Sequence, residues 1–374
     1  MVKKVLFGLA ILFAFGYGML SGSKKIFPFE EIRSIYHTIK FTSIEEQNML
    51  NESLLLDSKE VKSLIHIKSK EDLIKIRNEL VNFIWGGGKL PIEAVDKIEK
   101  NHIDTRYEDI LSIDQIDKLT IQMDYGLSSY AYYFSPKKTN NKLMIFHQGH
   151  GGDFYESKNE IKYFIDRGYS VVAFSMPLLG MNSKPIANIG GKTGRIKLST
   201  HNQMSYLAPK NGHNVRYFID PVVRALNYLN SKYKYNKISM LGISGGGWTT
   251  TLVSAVDTRI SMSFPVAGSL PIYLRSKRDW GDYEQSIPEL YQKISYLELY
   301  ILASSDNRKQ LQIINKWDAC CFGGTKSDIY KNIVSKVASD IGGGQFNILI
   351  DDTHKQHAIS PFALNKIVEF IENN

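Results

Sequence analysis

Residues 238–248 read Ile238-Ser239-Met240-Leu241-Gly242-Ile243-Ser244-Gly245-Gly246-Gly247-Trp248. An apolar run of strand length ends in Gly-x-Ser-x-Gly, and residues 248–256 can continue as a helix. Strand, motif and helix in that order describe a sharp turn that projects a serine oxygen above the end of a strand. Small flanking residues let the backbone fold back without collision. Ser244 is therefore the candidate nucleophile. A serine that merely caps the following helix is the bland alternative.

On both sides of this turn, apolar runs of strand length alternate with helical patterns: 143–146, 171–174, 260–264, 299–303 and 346–350. Strands apolar on both faces predict an α/β fold with a mostly parallel sheet covered by helices. Asp220-Pro221 reads as a helix N-cap followed by proline in the first turn, and Ser360-Pro361 repeats the device ahead of the stripe Leu364, Ile367, Val368 and Ile371. Residues 110–134 read as a hairpin. Residues 24–106 read as a mostly helical N-terminal extension, with helices expected over 44–56 and over 72–85, the second stopped by Gly86-Gly87-Gly88. Residues 107–374 form the main domain. Two long stretches, 178–214 and 269–295, fit neither pattern, and loops of that length on a compact domain tend to be functional.

A serine hydroxyl is nearly inert at neutral pH, so the Ser244 reading requires a histidine and a carboxylate. The last apolar run is followed by Asp351-Asp352-Thr353-His354-Lys355-Gln356-His357, directly before the C-terminal helix. His357 is the candidate base and His354 its competitor. For the acid, Asp306 follows the run 299–303, while Asp318 sits among Trp317, Ala319, Cys320, Cys321 and Phe322. Both stay open. A developing oxyanion needs donors, and the run 143–146 ends in His147-Gln148-Gly149-His150-Gly151-Gly152. The expected pair is the N–H of Gly245 with that of His150 or Gly151.

With these residues in place, the chain resembles the α/β-hydrolases of the serine esterase and lipase superfamily over residues 107–374. The resemblance implies the chain order serine, acid, histidine, matched by Ser244, then Asp306 or Asp318, then His357. It implies hydrolysis of a small-molecule or glycan acyl ester through an acyl-enzyme, with no cofactor. The oxyanion loop departs from a simple His-Gly-Gly-Gly run at Gln148. The segment bearing Asp279, Trp280, Asp282, Tyr283 and Glu284 lies where such enzymes often carry a lid or cap.

Composition narrows the alternatives. The chain has 374 residues, 43% hydrophobic and 22% charged, so it is a folded globular protein. Lysines and arginines number 46 against 38 acidic residues, and Lys3, Lys4, Lys24 and Lys25 supply half of the +8 excess. No run of five or six like charges suggests a nucleic-acid partner. Those lysines flank the uncharged residues 5–20, VLFGLAILFAFGYGML, which read as an export signal within 1–23, either cleaved or retained as a membrane anchor. Two cysteines cannot build a disulfide framework, and Cys320 and Cys321 are neighbours. They read as two small buried residues or as a vicinal disulfide beside Asp318. Two rival functions remain: a metal-dependent hydrolase using His147, His150, Asp153, Asp351, His354 and His357, and an exported binding protein on the same fold.

Overall fold

The computed structural model describes residues 57–275 and 279–374, together with 14 and 16–18. The expected helix over 44–56 lies outside the described residues, as does residues 5–20 apart from 14 and 16–18. Among the described residues no helix is long and apolar enough to cross a membrane.

The described residues from 57 onward belong to one compact unit. In this unit, one nine-stranded sheet runs in the order β1-β2-β3-β5-β4-β8-β9-β10-β11. Strands β1 (Lys97–Glu99), β2 (Ile113–Gln122) and β3 (Ser128–Pro136) pair antiparallel, β2 with β3 as the expected hairpin, and β3 pairs antiparallel with β5 (Ser170–Phe174). From β5 the sheet is parallel through β4 (Lys142–His147), β8 (Lys237–Ile243), β9 (Met262–Val266), β10 (Lys309–Asn315) and β11 (Gln345–Asp351).

Side chains alternate across the parallel strands, as the two-residue period requires. Leu143 and Ile145 enter one core, Met144 and Phe146 the other. The first core also contains apolar residues of helices α1 (Ser58–Ser63), α2 (Lys70–Trp85), α4 (Arg216–Lys232), α5 (Gly245–Val256), α6 (Pro288–Tyr291), α7 (Tyr296–Ala303) and α8 (Lys331–Asp340). The opposite core is covered by α3 (Lys158–Ile165) and α9 (Pro361–Glu372). Gly86 closes α2 in the left-handed conformation at φ 75°, as the glycine run predicts, and Ser360 Oγ caps α9 by accepting from Ala363 N–H at 2.9 Å. No α-helix forms between Gly86 and Thr105, where β1 adds a sheet edge instead.

Two expectations fail for physical reasons. The apolar run 299–303 belongs to α7, not to a strand. Every residue of α7 is buried, so no polar face marks its period, and only the reciprocal cap of Ser295 and Glu298 betrays a helix. The strand is β10, hidden in the sequence by Gln310 and Gln312. Both are buried and partnered, Gln310 with Ser263 Oγ at 3.0 Å and Gln312 with the Ser269 carbonyl at 3.0 Å. Asp220 is likewise no N-cap: α4 starts a turn earlier and Pro221 lies inside it. Asp220 is buried and accepts from Trp85 Nε1 and from Arg216 Nε, the latter at 2.9 Å.

Of the two long stretches, 178–214 carries a small hairpin of β6 (Ile186–Gly190) and β7 (Gly194–Lys197), and 269–295 carries short helical turns.

Candidate active site

The turn after β8 is as tight as its sequence requires. Ser244 holds φ 57° and ψ −125°, and its N–H donates to the Val266 carbonyl at 2.9 Å. A Cβ on Gly242 would stand 2.2 Å from the Gly246 carbonyl oxygen, and one on Gly246 would stand 2.1 Å from that of His147. Only glycine fits either position. Ser244 occupies the N-cap of α5, yet its side chain makes no capping bond, and the residue is partly exposed. The capping alternative is thereby removed. The N–H of Gly245 falls in the first turn of α5, where no intrahelical acceptor exists.

The carboxylate and the imidazole come from the same edge of the sheet. Asp318 lies three residues beyond the end of β10, and His357 in the loop between β11 and α9. Asp318 is 1% exposed; its Oδ1 accepts the N–H groups of Cys320 at 2.7 Å and Cys321 at 3.3 Å, and its Oδ2 lies 2.6 Å from His357 Nδ1. The loop is tied to β10 by Asn315 Nδ2, which donates to the Ala358 carbonyl at 2.8 Å. Cys320 and Cys321 are joined in a vicinal disulfide. Nδ1 of His357 donates to the carboxylate, which leaves Nε2 as the basic nitrogen; that atom is buried and has no hydrogen-bond partner among the described residues. No hydrogen bond joins it to Ser244 Oγ in this structure.

The other candidates stand elsewhere. Asp306 precedes β10, at the opposite end of that strand from Asp318, and its carboxylate is paired with Arg77 Nη2 at 2.7 Å. His354 lies 3.3 Å from Asp351 Oδ2, and Asp351 is itself engaged by Thr353 and Ser360. The six residues of the metal-hydrolase rival do not converge. His147 is inside the protein, its Nδ1 donating to the Gln148 carbonyl at 2.8 Å, and burial pushes its pKa down to about 4. Asp153 caps a short turn by accepting from Tyr155 N–H at 3.0 Å.

The loop after β4 supplies the opposite wall. Gly149 abuts Ser244, since a Cβ there would lie 2.5 Å from Ser244 Cβ and 3.2 Å from its Oγ. Its own N–H is occupied by Gln148 Oε1 at 2.9 Å. His150 packs its ring on Gly245, where a Cβ would meet His150 Cε1 at 2.5 Å. Gly151 is exposed, with open space around it. Sequence reasoning missed Gly149, although its letter lay within the run it singled out.

Sequence reasoning also missed a second pairing of imidazole and carboxylate. Glu284 is fully buried; its Oε1 lies 2.8 Å from His150 Nε2 and its Oε2 lies 3.0 Å from His201 Nδ1. Burial pushes the Glu284 carboxyl up, but His201 and His150 outweigh it and hold the pKa down at about 2. Glu284 was legible only as part of a lid-like segment, and His201 carried no signal at all.

Strand order, helix placement and the turn after β8 define the α/β-hydrolase fold. Solved structures agree. The chain is similar to an acetyl xylan esterase from Paenibacillus sp. R4, with TM-score 0.53 and 17% identity over 84% of this chain and 98% of that one. It is similar to the methylesterase BT1017, with TM-score 0.56 and 16% identity over 91% of this chain and 68% of that one. It is similar to acetyl xylan esterase 1 from Thermoanaerobacterium sp. JW/SL YS485, with TM-score 0.51 and 15% identity over 82% of this chain and 94% of that one. At such identities the likeness establishes the fold. No family model matches the sequence, and no curated protein does.

Proposed function

We propose that the protein is a serine hydrolase that cleaves a carboxylic ester, with Ser244 as nucleophile, His357 as base and Asp318 as the acid that orients it. The observation that carries this reading is the 2.6 Å Asp318–His357 pair, whose remaining nitrogen is unpartnered at the sheet edge where Ser244 leaves β8 uncapped. Ser244 Oγ attacks the acyl carbon as its proton passes to His357 Nε2. The oxyanion accepts from the N–H of Gly245 and from that of His150. His357 then gives its proton to the departing alcohol, and water, deprotonated by the same nitrogen, releases the acid and restores Ser244.

The three similar structures named above are esterases, two of them acetyl xylan esterases, which supports a short acyl group on a carbohydrate alcohol as the first substrate class to try. The basic and apolar N-terminal segment supports export. Incubation with an activated alkyl phosphonate, followed by peptide mass spectrometry, tests the assignment. A single adduct on Ser244, with parallel loss of p-nitrophenyl acetate hydrolysis, is expected. Full turnover after stoichiometric labelling elsewhere, or no labelling of an active enzyme, overturns it.

A further inference from the structure

The His150–Glu284–His201 group, with Glu284 and His201 buried and His150 partly exposed, joins three stretches far apart in the chain: the loop after β4, residues 178–214 and residues 269–295. Its hydrogen bonds close on protein atoms only if His201 carries both ring protons as an imidazolium. His201 Nε2 lies 2.8 Å from the Pro177 carbonyl, which can only accept, so that nitrogen carries the ring proton. In the neutral ring Nδ1 then presents a lone pair to Glu284 Oε2 at 3.0 Å, acceptor against acceptor. On the other side, His150 Nε2 faces two carboxylates, Glu284 Oε1 at 2.8 Å and Asp282 Oδ2 at 3.2 Å. One N–H serves one of them well. A dication answers both sides at once.

We propose that His150 Nε2, His201 Nδ1 and the Glu284 carboxylate bind a divalent transition-metal ion of the zinc type, with Asp282 or water as fourth ligand. Two imidazoles and a carboxylate suit zinc and disfavour magnesium or calcium. Zinc bonds of about 2.0–2.1 Å to nitrogen and oxygen place neighbouring tetrahedral ligands roughly 3.3 Å apart. His150 Nε2 lies 2.8 Å from Glu284 Oε1 and 3.2 Å from Asp282 Oδ2, His201 Nδ1 lies 3.0 Å from Glu284 Oε2, and one ligand atom from each of His150, His201 and Glu284 lies within 4.8 Å of the others. The Pro177 carbonyl supplies the outer contact that fixes a ligating imidazole in its tautomer.

The ion would pin both long insertions to the loop beside Ser244. It would also fix His150: a ring bound through Nε2 carries its proton on Nδ1, the atom that a Cβ on Gly245 would approach to 2.8 Å. The assignment stands independently of the serine chemistry.

The test is metal content of the full chain, stripped with a chelator, dialysed against zinc and measured by plasma mass spectrometry. About one zinc per chain is expected, with Glu284→Gln and His201→Ala each lowering affinity by at least about 10- to 100-fold. Should those variants fail to fold, cobalt added to the stripped wild-type chain provides a second measurement. Intense visible bands of tetrahedral cobalt, displaced by zinc, are expected. Zinc content equal in wild type and Glu284→Gln, zinc lost only on changing His357 or the cysteines, or no tetrahedral cobalt spectrum overturns the proposal and leaves the group as a buried imidazolium–carboxylate network.

Discussion

The two ends of β10 each carry an aspartate, and the two could hardly be used more differently. At the entry end, Asp306 meets Arg77, whose guanidinium also reaches Ser305 Oγ and the Ala255 and Leu302 carbonyls. Arg308 nearby is buried among the carbonyls of Ser254, Ser305 and Leu302. Arg77 Nε and Nη2 and the three guanidinium nitrogens of Arg308 end on protein acceptors, and the cluster ties α2 to the chain between α7 and β10. At the exit end, Asp318 receives two backbone N–H groups and turns its second oxygen to His357, whose far nitrogen has no partner among the described residues. A closed polar network locks elements together; an open one has a proton acceptor to spare. In open α/β sheets ligands bind outside the carboxyl ends of the strands, so the open network belongs there.

The comparison can be broken by substitution. Ser244→Ala is expected to lower kcat by on the order of 10⁴-fold or more, because no other group supplies the acyl acceptor. Retained turnover would remove the exit edge from the chemistry. Asp318→Asn keeps the size but offers His357 Nδ1 no carboxylate, and should cost about 10²- to 10⁴-fold in kcat with KM nearly unchanged. Asp306→Asn, at the other end of the same strand, should leave kcat within about twofold. It should lower unfolding free energy in urea by under about 1 kcal/mol, as befits a half-exposed ion pair. A large activity loss at 306 would erase the distinction between the two ends.

Two further changes sharpen it. The exchange of Cys320 and Cys321 for serines keeps both N–H donors to Asp318. A loss in kcat below about tenfold, the worth of one hydrogen bond, is expected. A loss near that of Asp318→Asn would mean that the sulfur linkage, not the amides, holds the carboxylate. His147 stands at the exit end of β4 but is buried and serves the scaffold. Its folded pKa near 4 lies below the ordinary 6.5, so the unfolded chain binds more protons between those values. Stability should therefore fall as pH drops from about 6.5 to 4, by up to roughly 3 kcal/mol from this residue. Urea denaturation of His147→Gln across that range should show a flatter acid limb than the wild type.

Much of this arrangement was legible. The turn at Ser244 announces itself because glycines are compulsory where backbones nearly touch, and the Ser360-Pro361 cap fixes where the His357 loop must end. The sequence leaves Asp306 and Asp318 both open, because β10 is hidden in it. Gln310 and Gln312 are polar letters in a buried strand: Gln310 Nε2 donates to Ser263 Oγ, and Gln312 is bonded to the Ser269 carbonyl, Tyr300 and Tyr330, in ways only the fold can arrange. With the strand misplaced onto α7, Asp306 looked like a residue at a strand exit when it stands at a strand entrance. The His201–Glu284 contact spans 83 residues between irregular segments, and no local period encodes such a meeting.

The backbone at residue 244 has one more implication. Its dihedral angles, φ 57° and ψ −125°, are ones that side-chain-bearing residues rarely adopt, at a cost of about 1–3 kcal/mol. Glycine would relieve that tension and give back only about 0.4–1 kcal/mol through the looser denatured chain. A Ser244→Gly protein should thus melt higher than its parent while doing nothing, so ranking variants of this fold by thermal endurance would favour the inert one.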